Sequence, residues 1–226
     1  MNGEVSSSDR VGTNFITGVY FRMAIGLFLT FLTSFFVTNT SLVIKLAQNR
    51  ILFFGFILAE LGLVIYISSR VKQMSLSQLT FGMVLYAVLN GITLSLIFVA
   101  YTTASIASTF FITAGMFGTM AIYGYTTDKD LTNWGSILIM ALVGIIIASI
   151  INFFIHSSAI YWIINIAGVI VFTGLTAYDS QKIKEMGRRQ AGSGDLDKLA
   201  MMGALKLYLD FINLFLFLLR IFGNKK

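Results

Sequence analysis

The chain carries 226 residues, 57% of them hydrophobic and only 12% charged, with a net charge of +6 and a mean hydropathy of +0.84. A soluble domain keeps about 25% of its residues charged to hold its surface in water, so half that share excludes a water-soluble globule. Cysteine and proline are absent, which excludes disulfides, thiolate metal centres and cysteine nucleophiles and leaves helix bends to glycines and polar residues.

A polar segment over 1–22 opens the chain. A hydrocarbon core ~30 Å thick takes about 20 apolar residues to cross. Stretches of that kind run roughly over 23–44, 51–69, 79–101, 104–127, 134–155, 159–178 and 199–219, and a short basic tail, 223–226, follows. The first stretch is longer than the apolar core of a signal peptide and ends in Val37-Thr-Asn-Thr-Ser41, without a small-residue cleavage site, so it is expected to be retained. Only Thr102 and Thr103 divide the third from the fourth. The runs are continuously apolar, not alternating, which argues against a membrane barrel. The expected fold is therefore all-α: one transmembrane domain over 23–222, a bundle of seven helices with the last one central. Ala114 with Gly118, and Gly144 with Ala148, have the spacing that lets helices approach closely in ordinary bundle packing. No internal repeat suggests an inverted-repeat transporter.

The positive charge lies in short loops, the pattern of membrane topology and not of a nucleic-acid surface. With the N-terminus inside, that side holds ten basic residues, Arg10, Arg22, Arg70, Lys72, Lys129, Lys182, Lys184, Arg188, Arg189 and Lys198, against five outside, Lys45, Arg50, Arg220, Lys225 and Lys226. A last segment that turned back would make the count thirteen to two, so the side of the C-terminus stays open while loop 180–198 is placed inside.

Ionisable groups at mid-membrane cost roughly 2.5–3.5 kcal/mol each on insertion scales. The chain nevertheless keeps Glu60 inside its second stretch and Asp210 half way along its seventh; Lys206 lies one turn from Asp210, Asp179 ends the sixth and Arg70 closes the second. With N-in topology Arg70 and Asp179 lie at the inner boundary, and Asp210 lies some 15 Å deep at about 1.5 Å per residue. Lys206, Asp210, Asn213 and Phe217 share one helical face; Thr173, Thr176 and Asp179 share another; Tyr86, Asn90 and Thr93 make a polar stripe on the third stretch. Plainer roles stand beside these: Arg70 as a snorkelling anchor, Asp179 as a solvated helix end near Lys182, Lys206 as a neutralising charge for Asp210, and the lone His156 as an exposed loop residue.

The stretch Ala204-Leu-Lys-Leu-Tyr-Leu-Asp-Phe-Ile-Asn-Leu-Phe-Leu-Phe-Leu-Leu-Arg-Ile-Phe-Gly223 resembles the C-terminal signature of the Bax inhibitor-1 (transmembrane Bax inhibitor motif) family, and Thr173-Gly-Leu-Thr-Ala-Tyr-Asp-Ser-Gln-Lys-Ile183 resembles its sixth-helix motif. The resemblance implies a pH-gated calcium-leak channel, with calcium ions and protons as its partners in the lipid bilayer. It makes Asp179 and Asp210 the proton sensor, Arg70 a latch to Asp179, and Glu60, Asp210 and Asn213 the pore or ion pathway. Lys206 beside Asp210 adds a fixed positive charge that weakens cation attraction. Two close carboxylates disfavour simultaneous ionisation, and protonation of Asp179 would release Arg70, so acid is expected to favour the open state. Calcium would meet Asp179 and Asp210 only in transit, because a tight site needs 6–8 oxygens and conduction needs weak binding. The short tails point to a bacterial cell (inner) membrane with a cytoplasmic N-terminus. No cofactor, enzymatic activity or nucleic-acid partner is expected.

Three other readings compete. The family resemblance also allows a non-conducting regulator that binds another membrane protein, such as a quality-control protease or a death factor. Tyr178-Asp179 and Gly192-Ser193-Gly194-Asp195 are similar to the motif pair of intramembrane aspartyl proteases, but Asp195 lies in a polar loop and the chain has no proline for the third motif. A retinal protein would need a carboxylate in the third stretch, and 79–101 has none.

Overall fold

The computed structural model describes residues 7–189 and 195–226. They form eight helices: α1 (Ser7–Thr38), α2 (Ser41–Gln48), α3 (Arg50–Arg70), α4 (Leu76–Ala100), α5 (Thr103–Thr126), α6 (Thr132–Ile155), α7 (Ser158–Arg189) and α8 (Leu196–Phe222). All but the short α2 are long and apolar enough to cross a membrane, giving seven spans. Among the described residues, extended pairing is confined to one bridge between Tyr101 and Lys225. The all-α, seven-span fold expected from the apolar stretches is the one observed.

Local chemistry sets the helix boundaries. Helix α1 reaches back to Ser7, through much of the segment read as polar, and stops at Thr38, short of residue 44. It stops because Thr40 accepts a hydrogen bond from the Leu42 N–H (3.3 Å) and begins α2. Asn49 does the same for the Leu52 N–H (3.0 Å) and begins α3. Helix α4 starts with a reciprocal capping box between Ser75 and Gln78. At the start of α6 the Asp130 carboxylate accepts the Thr132 N–H at 2.8 Å, and hydrogen bonds from Thr132 hold its carboxyl below the usual carboxylate range. Helix α6 ends at exposed His156, whose left-handed backbone (φ 56°) turns the chain and whose N–H reaches the Asn152 carbonyl.

The chain divides into two compact units. The first comprises residues 1–102, 186–208 and 225–226; the second comprises 103–185 and 209–224, so that α8 contributes to both. This last helix is the most buried of the seven: 72% of its apolar window is enclosed, against 6% for α6. The exposed isoleucines of α6 supply the lipid-facing surface that a solvent-facing helix could not carry.

In the first unit α1 runs parallel to α4, and the two are joined by a ladder. The hydroxyls of Thr30, Ser34 and Thr38 lie within hydrogen-bonding reach of the carbonyls of Ala87, Gly91 and Ser95, at 3.1, 2.8 and 3.3 Å. Each rung lies one turn beyond the last on both helices. Gly91 permits the approach, because a β-carbon there would strike Thr33 and the Thr30 carbonyl. At the far end of α4 the Lys226 N–H donates to the Ala100 carbonyl (3.0 Å) and its ammonium to the Phe98 carbonyl (2.8 Å). Four spans separate residue 101 from residue 225, an even number, so the chain returns to the end from which α4 left. Helix α8 is thus a single through crossing, and a re-entrant last segment is excluded.

In the second unit α5 meets α7 at Gly124, where a β-carbon would fall on the Ala177 carbonyl. Gly135 of α6 accommodates the Tyr178 ring, and Gly174 of α7 accommodates Leu138. At the expected approach points, by contrast, a β-carbon on Gly118 or Gly144 would meet nothing within 4 Å. Small-residue spacing in these helices is common to several faces, and only some of them meet a neighbour. Gln181 of α7 clamps the α5–α6 turn, donating to the Lys129 carbonyl (2.8 Å) and accepting from the Leu131 N–H (2.9 Å). Gln181→Ala is expected to destabilise the protein by about 2 kcal/mol, since two largely buried backbone groups lose their partner. The check is its unfolding midpoint in detergent against the parent.

Candidate functional site

The first unit contains a carboxylate cradle. Glu60 lies ten residues from each end of α3, about 15 Å along the axis from either, and is 9% exposed. Its two oxygens accept hydrogen bonds from the Asn90 amide (3.0 Å) and the Thr93 hydroxyl (2.8 Å) of α4. These two residues belong to the polar stripe seen in the sequence, and α4 presents it to α3. Among the described residues no lysine or arginine forms an ion pair with Glu60.

The hydrogen bonds continue past Asn90. The Tyr208 hydroxyl of α8 donates to the Asn90 Oδ1 at 3.0 Å and lies 2.6 Å from the Thr30 hydroxyl of α1. Thr30 in turn lies within reach of the Gly26 and Ala87 carbonyls, at 3.0 and 3.1 Å. Tyr86 packs edge-on against the Tyr208 ring, 5.7 Å between centroids. Sequence reasoning missed Tyr208 and Thr30. Tyr208 stood inside the quoted C-terminal signature; Thr30 carried no signal, being one hydroxyl among many in an apolar helix.

Asp179 and Asp210 are both buried in the second unit, 7% and 5% exposed. The packing of α7 on α8 relates them. The Phe217 ring seats over Gly168 and stacks on Phe172, with centroids 5.8 Å apart. Seven residues, two turns, lead from Phe172 forward to Asp179, and seven lead from Phe217 back to Asp210. In this antiparallel pair the same two faces therefore carry the aspartates to one level, about 10 Å from the stacked rings. Phe211, next to Asp210, is wedged between Phe110 and Phe117 of α5 at 5.5 and 5.4 Å, which fixes the rotation of this part of α8.

The remaining candidates are more dispersed. Arg70 ends α3 exposed, its guanidinium 5.9 Å from the centre of its own neighbour's ring, Tyr66; it belongs to the first unit and Asp179 to the second. Lys206 is half-buried in α8. Asn213 donates to the Leu209 carbonyl of its own helix at 2.8 Å, which leaves its amide oxygen for other partners. Of the protease-like motif, residues 192–194 lie outside the described residues, and Asp195 is an exposed partner of Lys198 at 3.1 Å.

Against this geometry the comparisons with known proteins are specific. The model of the family described as inhibitor of apoptosis-promoting Bax1 matches residues 12–226, nearly the whole chain. The chain belongs to the Bax inhibitor-1 family. It is 49% identical to the inner membrane protein YbhL of Escherichia coli (strain K12) over 215 residues, covering 94% of this chain and 92% of that one. It is 44% identical to a protein of Borreliella burgdorferi over 219 residues, 96% and 94% of the two chains. A membrane protein of Streptococcus pyogenes serotype M1 is 36% identical over 219 residues, 95% and 94%. The match covers both units, so the Bax inhibitor-1 assignment applies to the Glu60 cradle and to the aspartate helices alike.

Proposed function

We propose that this Bax inhibitor-1 protein is a pH-sensitive calcium-leak channel of a bacterial inner membrane, with its N-terminus cytoplasmic. The observation that carries the reading is the register of α7 against α8, which sets two buried carboxylates, Asp179 and Asp210, at one level. Like charges brought close together repel one another, and that repulsion is the physical basis of the reading. In this reading they are the sensor, Arg70 is the latch that ionised Asp179 holds, and Glu60, Asp210 and Asn213 line the path. Calcium visits Asp179 and Asp210 in transit, and Lys206 limits cation attraction. The chain acts without a cofactor and without enzymatic chemistry.

Calcium entry into liposomes holding the purified protein and a trapped indicator tests the reading. Flux above protein-free liposomes that increases as pH falls is expected. Absence of flux at every pH would favour the alternative, a regulator that needs a membrane-protein partner. Orientation is tested separately, because the chain has no cysteine and single cysteines can be introduced into a silent background. Cysteines at positions 45 and 225 should react with an impermeant thiol reagent applied outside intact cells, and one at position 72 should not. The reverse pattern would invert the topology.

A further inference from the structure

The hydrogen bonds around Glu60 have two complete solutions on the same heavy atoms. In the first, every donor points toward the carboxylate. Thr30 donates to Tyr208, Tyr208 donates to the Asn90 Oδ1, and the Asn90 amide and the Thr93 hydroxyl donate to Glu60. Glu60 is then ionised, and both of its oxygens are capped by neutral donors.

The second solution needs only an amide turned over and three hydroxyls rotated. The two ends of an Asn amide differ little in shape but exchange donor for acceptor. With the amide reversed, its N–H group donates to the Tyr208 oxygen. The Tyr208 hydroxyl donates to Thr30, and the Thr30 hydroxyl uses the Gly26 or Ala87 carbonyl, each already within about 3 Å. Thr93 likewise has a second acceptor, the Asn90 carbonyl at 2.9 Å. The Asn90 Oδ1 now faces Glu60 and requires a donor there, which a proton taken from water onto the carboxylate supplies. Each hydroxyl donates once in each arrangement, so neither leaves a buried hydroxyl orphaned.

We propose that Glu60, Asn90, Tyr208 and Thr30 form a proton-binding relay in the first unit, in which protonation of Glu60 reverses the Asn90 amide and the sense of every hydrogen bond as far as α1. The titratable groups around Glu60 are Tyr86 of α4 and Tyr208 of α8. Among the described residues, helix α1 contributes the hydroxyl of Thr30 to this network. The nearest charges on its own helix, Arg50 and Arg70, are ten residues away in either direction. The Tyr208 phenol is the positioning residue, because it alone connects the Asn90 amide to α1. The inference goes beyond the channel reading and requires no conduction.

Infrared difference spectra on acidifying proteoliposomes report protonated carboxyl groups directly, and the band lost in Glu60→Gln assigns Glu60. Thr30 does not touch Glu60, so a purely structural role for it predicts no change in that band's pH midpoint. The relay predicts one. Thr30→Val removes the acceptor that the Tyr208 hydroxyl needs only in the protonated arrangement, and a buried donor without a partner is the costlier loss. The midpoint should fall by about one pH unit. Thr30→Ala should reproduce the fall should the valine variant not fold, Thr30→Ser should restore the parental midpoint, and Thr30→Val should add nothing in a Tyr208→Phe background. An unchanged midpoint in Thr30→Val or Thr30→Ala, or a band untouched by Glu60→Gln, overturns the relay. A titrating relay in liposomes that pass no calcium would overturn the channel reading and leave the relay standing.

Discussion

Gly124→Ala should cost at least 3 kcal/mol, and Gly124→Leu should leave no folded protein to purify. Overpacking a core usually costs 1–3 kcal/mol because side chains give way. Here the new methyl would fall on the Ala177 carbonyl of the facing helix, and backbone cannot rotate aside. The whole length of α5 would have to move off α7, taking with it the wedge of Phe110 and Phe117 around Phe211. Gly118→Ala is the matched control on the same helix. Nothing lies within 4 Å of its added carbon, and alanine is the better helix former by up to about 1 kcal/mol, so this variant should equal or exceed the parent. Unfolding midpoints in detergent compare the three. Equal stability of Gly124→Ala and Gly118→Ala would mean that α5 and α7 do not touch at that point.

Asp179→Asn is expected to remove most of the pH dependence of calcium flux while leaving the protein folded. The substitution keeps the shape and takes away the charge, so the second unit retains its packing but the site no longer distinguishes acid from neutral pH. If the ionised carboxylate holds the closed state, the variant should leak at neutral pH at the rate the parent reaches in acid. If Arg70 is the proposed latch, Arg70→Gln should give the same leak. Asp210→Asn should also flatten the profile, because it removes the second member of the pair, but with a lower maximal flux if the proposed path also passes that residue. A parental pH profile in Asp179→Asn would end the two-aspartate reading.

The fold was largely legible because a bilayer imposes simple requirements. Twenty apolar residues per crossing predicted all seven spans, and the Thr102–Thr103 break came out between α4 and α5. The first span was placed too late because hydropathy does not register a helix that continues through polar residues such as Asn14 and Arg22 beyond the hydrocarbon. The burial of Glu60, Asp179 and Asp210 was expected from their cost in lipid, and the stripe Tyr86–Asn90–Thr93 pointed to a polar interface. Periodicity gives the face of one helix but not the neighbour it meets. That is why Tyr208 and Thr30 were missed, and why Gly118 and Gly144 were expected at contacts that Gly91 and Gly124 make instead.

The ladder between α1 and α4 has a further property that follows from its spacing. Its donors, Thr30, Ser34 and Thr38, and its acceptors, Ala87, Gly91 and Ser95, repeat at the same interval, and the three acceptor residues are all small. Sliding α1 along α4 by one interval, about 6 Å, would re-form two of the three rungs but would drive Thr33, which now sits over Gly91, against the β-carbon of Ala87 or Ser95. The seam is indexed like the teeth of a rack in which one notch alone, at Gly91, is deep enough for Thr33. Piston-like travel of the first span is therefore opposed by the steric penalty of the neighbouring notches as well as by the rungs lost on the way.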